Sequence, residues 1–153
     1  MIREEDMNNL SAPTPLEVRK YRVGNTFDWD NKKIANMLCY VDARYVMDRL
    51  DAVVGGANWD SEFLEIKGRL YCKIPIRYVR EDGSIGSAFK MDCGTEGNIE
   101  KEKAEASDAL KRTAVQFGIG RELYSSKNYR VEMQQSKNGK WYTPKDWKPE
   151  GDK

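Results

Sequence analysis

Residues 99–121, Ile-Glu-Lys-Glu-Lys-Ala-Glu-Ala-Ser-Asp-Ala-Leu-Lys-Arg-Thr-Ala-Val-Gln-Phe-Gly-Ile-Gly-Arg, decide the fold. Ala106, Ala109, Leu110, Thr113, Ala114 and Phe117 recur at three- and four-residue steps as one small, apolar stripe, while Lys101, Lys103, Lys111 and Arg112 point elsewhere. The spacing predicts an amphipathic helix. Gly118 falls where a helix end takes a left-handed residue and Gly120 discourages renewed helix before Leu123, so the helix is expected to stop near Phe117. A stripe of alanine rather than leucine lets its backbone approach a sheet closely. Lys111 and Arg112 lie in its last two turns, where cations complement the negative end of the helix dipole. That account of the pair requires no ligand; contact with a phosphate is the other.

Upstream of the helix, residues 59–66, 69–79 and 84–93 alternate or run as strands, with Asp82-Gly83 as a hairpin turn between the last two. They predict an antiparallel meander. In its middle strand Leu70, Cys72, Ile74, Ile76 and Tyr78 share one face, and Tyr71, Lys73, Pro75, Arg77 and Val79 the other. Pro75 cannot donate to a ladder, which calls for a bulge or an exposed edge there. Earlier still, Asp42 is placed to cap a helix over 42–54, striped by Val46, Met47, Leu50, Val53 and Val54 and closed by Gly55-Gly56. Residues 34–40 read as a short strand or docking turn, 24–33 as a turn-rich loop, and 16–23, after Pro13 and Pro15, as an edge strand or arm. Gly94 and Gly97 mark the loop into the organising helix. Downstream, 131–142 suggests a small hairpin, and the charged stretch from Pro144 onward is expected to fray. The fold class is α+β: a β-β-β-α core whose meander packs on one long helix, preceded by a short helix. Residues 1–130 form the expected functional domain and 131–153 a short hairpin with a frayed tail.

At 153 residues the chain is about one domain. Net charge is +1, from 26 basic and 25 acidic residues, so a nucleic-acid surface must come from segregated charge rather than bulk basicity. Cys39, Cys72 and Cys93 are widely spaced, and the chain has no histidine. Zinc sites, a disulfide framework, nucleophile–histidine pairs and imidazole metal centres are thereby disfavoured, and reduced thiols in a cytoplasmic setting are expected. No apolar run approaches the roughly 20 residues of a membrane span, and the N-terminus lacks a signal-peptide core. The glycines follow neither phosphate-loop nor dinucleotide spacing. Asp30, Asp92 and Glu96 keep unremarkable company, leaving a carboxylate-only metal nuclease as the one catalytic class with anything to stand on. The expectation is a protein without catalytic chemistry or cofactor.

Cations interleaved with aromatics are better represented. They occur as Arg19, Lys20, Tyr21 and Arg22; Tyr40 with Arg44; Tyr71, Lys73 and Arg77; Lys127, Tyr129 and Arg130; and Lys140, Trp141 and Tyr142. Each alone suits a solvated strand face carrying an amphipathic ring. Their recurrence points towards a single-stranded nucleic-acid groove, in which cations track phosphates and aromatics stack on bases.

Three blocks in this order, 39–44 running into Gly55-Gly56-Ala57-Asn58-Trp59, the hairpin Glu81-Asp82-Gly83-Ser84, and 103–123, resemble the Rad52/Rad22 family of single-strand annealing proteins, and within it the bacterial damage-response (DdrA) and phage branch. The likeness covers roughly residues 12–130. It implies subunits associating into rings or filaments, with single-stranded DNA in an outer basic groove and a recombinase or host single-strand-binding protein as a further partner. By position, Lys111 and Arg112 resemble the helix cations that hold the inner DNA backbone, and Tyr40 a tyrosine of that groove. Arg22 is similar to a basic residue of the N-terminal arm. Arg80, Lys127 and Arg130 resemble positions of an outer DNA site, and Arg44, Lys73, Arg77 and Lys103 complete the candidate set. Val115 stands where eukaryotic members add an arginine. The implied activity is DNA binding and annealing in recombination and repair, with protection of single strands or DNA ends as the alternative.

Overall fold

Small side chains bring the long helix onto its sheet. The computed structural model describes residues 1–95, 101–124 and 129–150, and of residues 101–103 the backbone alone. Tertiary contacts divide the chain into two compact units, Met1–Thr14 with Val41–Glu122, and Pro15–Tyr40 with Leu123–Lys153.

In the first unit, helix α1 is Ala43–Val54, strands β3, β4 and β5 are Glu62–Ile66, Arg69–Val79 and Ile85–Cys93, and helix α2 is Lys101–Val115. The three strands form the expected meander in the order β3-β4-β5. Cys72, Ile74 and Ile76 of β4 are fully buried, and so are Ala109, Thr113 and Ala114 of α2, which packs against β4 and β5. The Thr113 hydroxyl lies 2.8 Å from the carbonyl oxygens of both Cys72 and Ala109, so one proton is shared between the sheet and the helix's own turn. Glu105 Oε1 accepts the Leu70 N–H at 2.9 Å. At the end of β5, a Cβ on Gly94 would sit 2.4 Å from the Glu105 carbonyl oxygen, so only glycine permits this approach. The helix stops as expected: Gly118 has φ +99° and Gly120 φ +71°.

Of the two expectations for Pro75, a bulge or an exposed edge, the second holds. The β4–β5 register runs unbroken from Tyr71↔Cys93 to Val79↔Ile85. On the other side β3 reaches only Lys73; beyond it the Asp60 N–H donates to the Pro75 carbonyl, Trp59 bridges Ile76, and the Val79 N–H donates to Ile2. The missing proline donor therefore falls in a gap of the ladder, the edge solution. Helix α1 buries Val46, Leu50 and Val54 and packs against α2 and a 3-10 segment, Glu4–Ser11, that carries the buried Leu10. The polar N-terminus thus contributes a core residue.

The second unit holds the main departure. Strands β1 (Lys20–Trp29) and β2 (Lys32–Tyr40) form a long hairpin, with β6 (Tyr129–Glu132) added beside β2. The stretch 24–33, expected as a loop, is mostly strand. Its turn is Asp30-Asn31, both left-handed at φ 52° and 60°, as a two-residue hairpin with the sheet's twist requires. The register slips between Val23 and Asn25, and a Cβ on Gly24 would meet Leu38 Cγ at 2.7 Å. One bulge residue thus breaks the period-2 signal. Residues 16–18 form a 3-10 turn before β1 rather than part of a strand. Ala35, Met37 and Val131 make the core of this sheet with Tyr21, Val23, Tyr129, Met133 and Trp147. Trp147, in the segment expected to fray, sits edge-on to Tyr21 at 5.6 Å and Tyr129 at 5.8 Å. Strands β7 (Gln134–Gln135) and β8 (Trp141–Tyr142) form the small hairpin expected over 131–142.

Candidate nucleic-acid interface

The candidate residues divide between the units. In the first, Arg112 is exposed near the end of α2, and its Nε donates to Asp108 Oδ2 at 3.1 Å. The same oxygen accepts the backbone N–H and the hydroxyl of Thr95, at 2.8 and 2.9 Å, so Asp108 ties the loop after β5 to the helix and orients Arg112. An i,i+4 pair of this exposure contributes about 0.3–0.5 kcal/mol. Lys111 beside it is half-buried. At the helix end, Arg121 donates to the carbonyls of Val115 and Gln116 at 3.1 and 2.9 Å. Arg121 thus supplies the cation that the dipole argument offered to Lys111 and Arg112, a role that sequence reasoning missed because the residue lies beyond both glycines.

Arg44 is exposed on the first turn of α1. A cation there opposes the positive end of the dipole, so helix stability does not explain it. On the meander face away from α2, Lys73 Nζ lies 4.3 Å from the centroid of the Phe89 ring. Arg77 on the same face is engaged structurally: it pairs with Asp60 at 3.1 Å and donates to the Ala57 carbonyl, bracing residues 57–60. Arg80 donates to the Ile85 carbonyl at 2.9 Å and lies over the Tyr78 ring, clasping the β4–β5 turn. In that turn Ser84 donates twice to Asp82 Oδ1, which holds the Asp82 carboxyl below its ordinary range. The side chain of Lys103 and the whole of Lys127 lie outside the described residues, as do Glu96 and Gly97.

In the second unit, pairing register puts Arg22, Phe27, Trp29, Leu38, Tyr40 and Arg130 on one face of the β1–β2–β6 sheet, opposite the face that carries Ala35, Met37 and Val131. The Arg22 guanidinium lies 5.8 Å from the Tyr40 ring centroid, and that of Arg130 lies 5.4 Å from Phe27. Arg22, Tyr40 and Arg130 were singled out by sequence; Phe27 and Trp29 were not. The alternation Asn25, Phe27, Trp29 was the signal available, masked by the bulge before it. Along β1 an open cleft of about 610 Å³ is lined by Arg19, Lys20, Arg22, Tyr40, Lys145 and Lys148, among others. Its last two cations come from the tail, the charged stretch expected to fray. Among the described residues, no three cysteines or carboxylates are grouped as a metal site, and no helix is long and apolar enough to cross a membrane.

A meander covered by one long helix, with cations on the helix, the hairpin turn and the neighbouring strands, defines an α+β class of protein with distributed basic surfaces. The chain belongs to the Rad52/22 family of double-strand break repair proteins, whose family model matches residues 4–142. It is 43% identical over 120 residues to the single-stranded DNA-binding protein DdrA of Deinococcus deserti, covering 75% of this chain and 54% of that protein. It is 36% identical over 143 residues to the protein of the same name from Deinococcus radiodurans, covering 88% of this chain and 62% of the relative. The chain thus spans about 54 to 62% of the length of these relatives.

Proposed function

We propose that this protein binds single-stranded DNA and, as a multimer, brings complementary strands together in double-strand break repair, without a bond-making or bond-breaking step of its own. The observation that carries the reading is at the end of α2. Arg121 donates to the Val115 and Gln116 carbonyls there, which accounts for a cation at the helix end, while Arg112 is exposed and steered by Asp108 beside Lys111, a pairing suited to phosphates. Family membership and the names of the two relatives support the ligand. Arg44 in the first unit and Arg22 and Tyr40 in the second are each assigned to holding the strand, and Arg80, Lys103, Lys127 and Arg130 to further backbone contacts, while Lys73, over the Phe89 ring, stands on the meander face that a second copy would cover. Arg77 belongs to this set only through its charge, since its hydrogen bonds brace a turn.

Multimerisation is supported by the meander face opposite α2, where Ile85 is 63% and Phe89 57% exposed. Apolar side chains of that size in water favour a covering partner, and a second copy of the chain is the economical one. The relatives' names specify binding and not annealing, which favours a second reading: a coat that protects single strands or DNA ends. Mixing two complementary labelled oligonucleotides separates the readings. Duplex formation faster with protein than without supports annealing; retarded pairing with retained binding supports the coat. Shortened products on adding a divalent cation would establish a nuclease and overturn both.

A further inference from the structure

We propose that the solvent face of the β1–β2–β6 sheet is a stacking platform for the bases of unpaired DNA, running from Tyr40 to Trp29 at the hairpin tip. The inference deepens the single-strand-binding reading above and rests on it.

An antiparallel sheet with one face in a core ordinarily turns a polar face to water. Here the core face holds Ala35 and Met37, 0% and 4% exposed, while the other face presents Trp29 at 66% and Leu38 at 38%. Cations lie over rings at two places on it, Arg22 over Tyr40 and Arg130 over Phe27. Each such pair offers the planar guanidinium as a further stacking surface and brings positive charge beside the ring. Glu132 on this face is paired with Lys32 at 3.7 Å, and Arg22 and Arg130 place positive charge among the rings. Unpaired DNA matches this chemistry, its flat apolar bases alternating with anionic phosphates. A duplex buries its base faces and a polypeptide lacks the regular negative charge.

The length is consistent with several bases. Phe27 is opposite Ile34 and Trp29 opposite Lys32. At about 3.3 Å per residue these positions lie roughly 20 and 26 Å along β2 from Tyr40. A base stacked flat on a ring keeps its hydrogen-bonding edge in water, so the platform holds strands unpaired and still readable. Trp29 is the position that tests it, because it is exposed at a turn and contributes little to the core.

Binding is measured by anisotropy for a labelled oligothymidylate and for an abasic strand of equal length, with wild type, Trp29→Ala and Trp29→Phe. Trp29→Ala is expected to weaken oligothymidylate binding roughly ten-fold, leaving abasic binding and the salt slope unchanged, and Trp29→Phe to retain most of the affinity. Quenching of tryptophan emission by oligothymidylate should shrink in Trp29→Phe. Equal affinity of wild type and Trp29→Ala for oligothymidylate would overturn the platform and leave the single-strand reading standing. An equal loss on both strands also overturns it, because the effect would then not involve bases. A wild type that binds neither strand removes the functional reading itself.

Discussion

Lys111 and Arg112 sit side by side on α2, yet one is half-buried and the other is steered by Asp108. Replacing both with alanine should weaken single-strand binding and flatten its salt dependence by about 0.7 log–log unit per lost phosphate contact. Titrating binding against salt checks this, and an unchanged slope in a folded variant removes the pair from the DNA-binding surface. Tyr40→Leu keeps apolar bulk but loses the ring that Arg22 covers, so affinity should fall by about ten-fold with the melting temperature little changed. A lower melting temperature at full affinity would make the ring a core residue. Cys72 is fully buried, and burial pushes its thiol up to about 11. The folded protein therefore holds this proton more tightly than the unfolded chain, in which a thiol ionises at about 8.5. The associated stability is fully present below about 8.5 and is lost as pH rises towards 11. Alkylation of the native protein at pH near 8, read by mass spectrometry, should mark the half-exposed Cys39 and Cys93 and spare Cys72.

At the scale of elements, α2 and β5 meet at Gly94, where the obstacles to a side chain are the Glu105 carbonyl oxygen at 2.4 Å and the Ala109 nitrogen at 2.9 Å. Backbone cannot swing aside as a flexible side chain can. Gly94→Ala should therefore cost about 1–3 kcal/mol through displacement of the helix. Chemical denaturation measures the loss; an unchanged midpoint would show that α2 accommodates the methyl group. Periodicity made both helices and the meander legible, because each buries one stripe at its own repeat. The β1–β2 hairpin was legible only at its outer ends, 20–23 and 34–40: its alternation is interrupted at Gly24, and its turn is Asp-Asn rather than the commoner Asn-Gly.

For the whole molecule, the uncovered meander face sets the expectation of assembly. Light scattering over a dilution series should give a mass above one subunit, and Ile85→Glu with Phe89→Glu should reduce it to one subunit while the circular dichroism spectrum is retained. A wild-type mass of one subunit at every concentration, with or without single-stranded DNA, would sink the assembly and the annealing built on it.

By itself the sequence determined the elements whose burial pattern is written in consecutive residues: α1, α2 with its glycine stop, and the β3–β5 meander with its turn. It also marked Lys111, Arg112, Tyr40 and Arg22 as candidates, because cations and rings are visible one residue at a time. Tertiary structure alone decided where Pro75 could be tolerated, that Trp147 would pack on Tyr21 and Tyr129 instead of fraying, that Arg77 would brace a turn, and that Phe27, Trp29 and Arg130 would share a face with Arg22 and Tyr40. The physical reason is range. Helix stripes and strand alternation are local, but a ladder gap, a ring's partner and the common face of three strands depend on residues far apart in the chain, and their energies exist only once those residues meet.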